Sequence, residues 1–187
     1  MINIKKMGAI ALLASLSWAT HAANFNYNYG QLSYETGDFE GFILTGSFEI
    51  NKDMFIIARY VDTTNDDFGF DIDYSEISIG AGYHMPINKK TDAVFTVSLD
   101  DGEAEAVIFG FPVADSDTGV LLTAGVRHNL NAKVELAGGA YYISTFDGDF
   151  GIQGEVRYNI NKNMSAGLSY LSGDYLDGLG LNFRMGF

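Results

Sequence analysis

The sequence predicts an all-β fold: a transmembrane, antiparallel, up-and-down β-barrel of ten strands, with an eight-stranded barrel as the alternative. Three observations predict it. A short polar turn recurs four times, at 50–54, 87–91, 130–134 and 160–164. On both sides of each turn, apolar residues alternate with Gly, Ser, Thr and balanced charges. The last eleven residues alternate without a fault and end on an aromatic side chain. The composition agrees, with 22 Gly, only 2 Pro and 14% aromatic residues. The absence of cysteine excludes a disulfide framework. A formal net charge of -13 disfavours nucleic acid as a partner.

At the amino terminus, Lys5 and Lys6 precede an apolar run from Met7 to Trp18, followed by Thr20, His21 and Ala22. This is the charged region, hydrophobic region and small-residue cleavage site of a secretory signal peptide, so residues 1–22 read as the signal and 23–187 as the barrel domain. The run falls short of the roughly 20 apolar residues that a spanning helix needs, so any passage through a membrane must use strands.

The first strand is expected near Phe25 to Tyr34. Phe25, Tyr27 and Tyr29 are odd-numbered whereas Leu32 and Tyr34 are even, so either a bulge shifts the phase or the tyrosines point inward. Three-residue loops then connect four hairpins, and the last loop residue, such as Asp53 or Asn163, suits the left-handed region. An odd loop length keeps parity across the turn. Phe42, Leu44, Phe48 and Ile50 therefore share a face with Met54, Ile56, Ala58 and Tyr60. The second hairpin groups Ile77, Ile79, Ala81 and Tyr83 with Ala93, Phe95, Val97 and Leu99. The third and fourth repeat the pattern, through Leu122, Val126, Leu136 and Tyr142, then Ile152, Val156, Leu168 and Tyr170. Apolar segments of about nine to eleven residues suit tilted membrane strands.

The polar face decides between a soluble barrel and a membrane barrel. A solvated face would be rich in charge, yet this one carries Gly80, Gly82, Gly125, Gly139 and Gly167 with four Arg and four Glu. Arg59, Arg127, Arg157 and Arg184 balance Glu49, Glu76, Glu135 and Glu155, which suits a narrow lumen in which opposite charges pair. A one-residue slip would turn Arg157 to lipid at a cost of roughly 2–4 kcal/mol at mid-bilayer, and so helps to fix the register. Tyr60, Tyr83, Tyr142, Tyr158 and Tyr170 fall near strand ends, where interfacial aromatic girdles lie.

In the final strand Leu179, Leu181, Phe183, Met185 and Phe187 alternate with Gly178, Gly180, Asn182, Arg184 and Gly186. This segment resembles the closing strand of bacterial outer-membrane barrels, and the chain as a whole is similar in pattern to their small members, some porin-like, some structural and some adhesive. The resemblance implies that Gly180, Phe183 and Phe187 belong to an assembly signal read by the barrel-assembly machinery. It also implies residence in the bacterial outer membrane after export, contact with lipid and lipopolysaccharide, and short turns facing the periplasm.

The long loops then face outward, and 18 of the 24 acidic residues fall in them, among them Glu35, Asp62, Asp100, Asp101, Glu103 and Glu105. Every Lys after residue 22 lies in a short turn. Solvated acidic loops resist aggregation. They could also hold a divalent cation that bridges to lipopolysaccharide phosphates, with Asp71 and Asp73, Asp115 and Asp117, and Asp147 and Asp149 at alternate positions. No complete calcium-loop pattern occurs, and no resident cofactor is expected. The third loop, Asp101 to Thr118, contains Val107, Ile108, Phe109, Phe111, Pro112 and Val113, an apolar patch whose favoured place is folded over the barrel mouth.

No enzyme pattern emerges. His84 and His128 fall close to short turns, away from the outer loops where omptin-like barrels hold their catalytic residues, and no nucleophile elbow occurs. The expected role is that of a non-enzymatic, monomeric outer-membrane protein, structural or surface-interacting. A narrow cation-preferring channel is the alternative and an omptin-like enzyme a distant third.

Overall fold

The computed structural model describes residues 25–65, 72–108, 110–173 and 177–187. The signal segment and Asp66, Asp67, Asp71, Phe109 and Asp174 lie outside the described residues. The strands are β1 (Tyr29–Gly37), β2 (Glu40–Asn51), β3 (Met54–Asn65), β4 (Ile72–Asn88), β5 (Thr91–Ile108), β6 (Phe111–Asn129), β7 (Val134–Ile143), β8 (Asp149–Asn159), β9 (Met164–Ser172) and β10 (Asp177–Gly186). Each pairs antiparallel with its neighbour in sequence, and β1 pairs with β10, so the ten strands close into one barrel. Closure leaves no edge within the wall, as a lipid environment requires.

Alternation sorts the side chains as the sequence predicts. Leu44, Ile79, Leu99, Leu168 and Leu181 are each more than half exposed on the outer face. Leaving such a side chain in water would forgo roughly 1.5–3 kcal/mol, and here the whole barrel wall is covered by them. That apolar exterior marks a lipid-facing surface. The first strand resolves its phase without a bulge: β1 pairs in unbroken register with both neighbours. Phe25, Tyr27 and Tyr29 are buried in the lumen, whereas Leu32 is half exposed outside.

The four turns form by a different device from the one expected. Among the described residues only Phe146 and Asp147 are non-glycine residues with positive φ, so no turn residue takes the left-handed conformation. The repeated Asn does the work instead. Asn51 Oδ1 accepts from the backbone N–H groups of Asp53 and Met54, both at 3.0 Å. Asn131 does the same for Lys133 and Val134, Asn161 for Asn163 and Met164, and Asn88 for Lys90. An Asn side chain thus substitutes for a backbone carbonyl in closing the turn, and any residue can occupy the last position.

The third loop is not a loop. Pairing of β5 with β6 runs unbroken from Thr91 opposite His128 to Ile108 opposite Phe111. Pairing of β6 with β7 reaches only Leu121 opposite Ile143. On the β7 side the ten residues 111–120 of β6 therefore stand beyond the last shared rung, about 34 Å of strand at 3.4 Å per residue, whereas on the other side β4 stays paired with β5 as far as Ala106. Its backbone is satisfied by a continuous hydrogen-bonded ladder in place of the expected loop.

Candidate functional site: a lumen closed at both ends and an outer hairpin

At the short-turn end the residues that precede β1 tuck into the lumen. Phe25 and Tyr27 pack with Phe55, Ile57 and Val94 into a small apolar cluster. Tyr27 stacks on His84 with centroids 4.0 Å apart and donates to Asp92 Oδ2 at 3.2 Å. Asp92, fully buried, also lies 3.3 Å from His84 Nδ1. Asp92 went unnoticed in the sequence because it directly follows a turn, although its parity with Thr96 and Ser98 places it inside.

Arg127 reaches across this plug, with its guanidinium 4.7 Å from the Phe25 and Tyr27 ring centres. Its Nε and one terminal nitrogen donate to the two oxygens of Glu135, at 2.8 and 3.2 Å. Arg157 donates to the same carboxylate at 2.6 Å and to Glu155. These four predicted lumen residues form one ion-pair network. Such burial is tolerable because each carboxylate meets a guanidinium on its own or the adjacent strand.

The other four separate. Arg59 pairs with Glu76 at 2.5 Å nearer the outer mouth. Glu49 accepts from Asn28 Nδ2 at 2.9 Å, and Arg184 lies over the Tyr29 ring at 3.8 Å while its Nε donates to Gln31 at 2.8 Å.

At the outer mouth, aromatic side chains from three segments cluster. Tyr74 lies between Phe39 and Phe146, with centroids 5.9 and 6.1 Å away. It donates to Glu76 Oε2 at 2.9 Å. Tyr74 stands above the lipid-facing band, and burial first, then the Glu76 carboxylate, raises its phenol well above the ordinary range, keeping it a donor. Phe146 belongs to the β7–β8 connection, where Phe146, Asp147 and Gly148 have φ of 50, 71 and 82°. A left-handed Phe is strained, and Asp117 holds it by accepting from the Phe146 N–H at 2.9 Å.

Three acidic residues assigned to outer loops face inward instead. Asp100 is buried and accepts from Thr145 at 3.1 Å, Asp149 is buried and accepts from Tyr141 at 2.5 Å, and Glu35 accepts from Ser169 at 3.1 Å. Strand parity continued one rung farther than the loop boundary drawn from acidity. Of the carboxylates considered for a cation, Asp73 lies on the outer face and accepts from Thr64, Asp147 is exposed, and Asp115 and Asp117 sit on the mouth-facing side of the hairpin. Among the described residues no three His or acidic side chains come together as a metal-ligating group.

The hairpin carries two distinct faces. Asp101, Glu103 and Glu105 stand exposed in a row on its outer side, with Asp73 directly opposite Glu105. Ile108, Phe111, Val113, Asp115 and Asp117 share the other face, and Phe111 and Val113 are 73% and 50% exposed. Beyond Val120 the second edge of β6 has no strand beside it among the described residues. Val120 turns its backbone groups to that side, bonding Ser144, so the even residues outward of it do the same. Pro112 offers no N–H there, Ser116 N–H is taken by Asp115 and Thr118 N–H by Asp117. The edge is blunted at three of four successive donors.

The three residues expected to form an assembly signal lie on β10 and just after it, at the seam of closure. Phe183 and Phe187 face outward, and Gly180 faces Glu35 and Ser169, whose side-chain oxygens occupy the space a Cβ would need.

The family model for the outer membrane protein beta-barrel domain matches residues 8–149. The chain belongs to this family. The KdgM porin is similar in structure, with a TM-score of 0.53 and 11% identity over 85% of this chain and 99% of that one. The N-terminal β-barrel domain of Pseudomonas aeruginosa OprF gives 0.50 and 12%, over 86% and 100% of the two chains. Ail, the attachment invasion locus protein of Yersinia pestis, gives 0.46 and 20%, over 84% and 95%. At these identities the likenesses speak to the fold. No curated protein matches the sequence.

Proposed function

We propose that this chain is a non-enzymatic, monomeric integral outer-membrane protein that works by surface interaction through the β5–β6 hairpin and its acidic rim. The observation that carries the reading is the hairpin itself, which extends ten residues of β6 past the last rung shared with β7 and leaves Val107, Phe111 and Val113 exposed. A chain whose role ended in the membrane would have no use for so much ordered, exposed apolar strand.

The occupied lumen supports this reading over the narrow cation-preferring channel. Phe25 and Tyr27 with Arg127 block one end, and Tyr74 with Phe146 blocks the other. Ten strands enclose a space that such side chains can fill. The buried His84 and Asp92 sit beneath Tyr27 rather than in the mouth, which disfavours omptin-like catalysis. In this reading the chain reaches the outer membrane by signal-peptide export and the barrel-assembly machinery. The Asp101, Glu103, Glu105 and Asp73 surface then meets basic partners, or lipopolysaccharide phosphates through divalent cations.

The test has two arms. In planar bilayers the intact protein should show little or no steady conductance, and large, stable, cation-selective channels would install the pore as the function. In cells, replacing 104–116 by a two-residue turn should leave the barrel assembled and heat-modifiable on gels while abolishing its surface binding. Binding unchanged by that deletion would overturn the role of the hairpin.

A further inference from the structure

The chain is acidic overall, yet its basic residues are gathered in one place. Of the nine Lys and Arg after Phe25, all but Arg59 stand at the short-turn end: Lys52, Lys89, Lys90, Lys133, Lys162, Arg127, Arg157 and Arg184. Five of these, Arg127, Lys133, Arg157, Lys162 and Arg184, line a single recess that opens at that end, and Glu135 is the one acidic residue among its lining side chains. Glu135 is already shared by Arg127 and Arg157.

Arg184 has no carboxylate partner among the described residues. Its Nε donates to Gln31 and its plane lies on Tyr29, which leaves both terminal nitrogens without a hydrogen bond to the described protein. Stacking fixes the guanidinium plane, so the terminal pair is presented as a preorganised fork.

The strand register brings further donors beside it. Arg184 lies opposite Ser165, and one rung deeper Asn182 lies opposite Gly167, which in turn is opposite Arg157. Gly167 has no side chain, and a Cβ there would come within 2.8 Å of Asn182 Oδ1. On either side of Gly167 two buried residues keep polar atoms unpartnered: Arg157 is 2% exposed with a free Nε–H, and Asn182 is 5% exposed with both amide atoms free. Beside the unpaired Arg184 guanidinium, Arg157 Nε and Asn182 Nδ2 are buried donors that still lack an acceptor, while Asn182 Oδ1 and Glu155 Oε1 are buried acceptors likewise unpartnered.

We infer that the inner wall of β8, β9 and β10 at the short-turn end is a binding site for a small multivalent oxyanion, held by Arg184, Arg157 and Asn182, with Lys162 and Lys133 at its entrance. A phosphate or carboxylate group supplies the paired acceptor oxygens that a guanidinium fork, a lone Nε–H and an amide NH2 together require. The ligand enters from the end opposite the acidic rim, whose charge repels anions. This site is independent of the hairpin reading.

The experiment is isothermal titration of the refolded full-length barrel in zwitterionic detergent with inorganic pyrophosphate, and in parallel with citrate. Saturable one-to-one binding is expected for at least one of them, and the tighter of the two assigns phosphate or carboxylate chemistry. R184Q should weaken it at least tenfold and N182A severalfold, whereas R59Q at the outer mouth should leave it unchanged. R184K keeps the charge and guards against misfolding, and it should still weaken binding several-fold because an ammonium cannot present the fork. Absence of saturable binding to both anions, or equal loss in R59Q and R184Q, would overturn the site.

Discussion

Phe146 Cε2 occupies the space above Gly102: a Cβ placed on Gly102 would approach it to 2.9 Å, and the Tyr74 hydroxyl to 3.2 Å. The aromatic closure of the outer mouth therefore depends on the missing side chain of β5 as much as on the rings. Gly102→Leu should expel Phe146 and release the left-handed 146–148 segment from its strain. Faster proteolysis within that segment, with the barrel's heat-modifiability retained, is the expected result. Unaltered proteolysis would show that Phe146 does not depend on this contact.

The opposite closure rests on the residues before β1. Removing Phe25 to Asn28 strips the rings from Arg127 and Phe55 and leaves Asp92 without its Tyr27 hydrogen bond. Such a chain should show a lower urea midpoint than the intact barrel. Combined with G102L, the deletion should give bilayer conductance that neither change gives alone, because the two closures lie in series.

Glu135 takes three hydrogen bonds from two arginines. Glu135→Gln leaves both guanidinium groups without their shared counter-charge in a confined lumen, and a loss of about 3–5 kcal/mol in reversible unfolding is expected. Asp101→Asn on the exposed hairpin face should change stability by less than about 1 kcal/mol. Similar losses at the two sites would contradict the inward placement of Glu135.

The turn asparagines give a smaller, repeated effect. Asn161→Ala removes the acceptor for two backbone N–H groups, at about 1 kcal/mol per hydrogen bond. Asn163→Gly should be close to neutral, since Asn163 has no left-handed φ to relieve. A large stabilisation by Asn163→Gly would instead favour a left-handed turn.

The barrel was legible because its cause is local and periodic. Between the turns, the described strand residues from Phe42 onward obey the alternation that separates lipid from lumen, and the four Asn turns mark where the chain reverses. What could not be read is what depends on contacts between distant rungs. Parity places Arg127, Arg157, Arg184 and Glu135 inside, yet only the register of β7 against β6 and β8 determines that Glu135 takes two arginines and Arg184 none. Asp100 and Asp149 look like loop acids by composition and are wall residues by register. The inward turn of Tyr27 was one of two readings that its odd number left open, the other being a bulge, and its seat between His84 and Asp92 needed the third dimension.

Pro112 and the two backbone-capping aspartates of β6 have a consequence for how the outer hairpin can change. A partner cannot extend the ladder along that edge, so it must read side chains, and the ladder behind them does not care which side chains those are. Specificity at the exposed positions can drift by single substitutions, or be exchanged wholesale, without disturbing the register that holds the barrel shut.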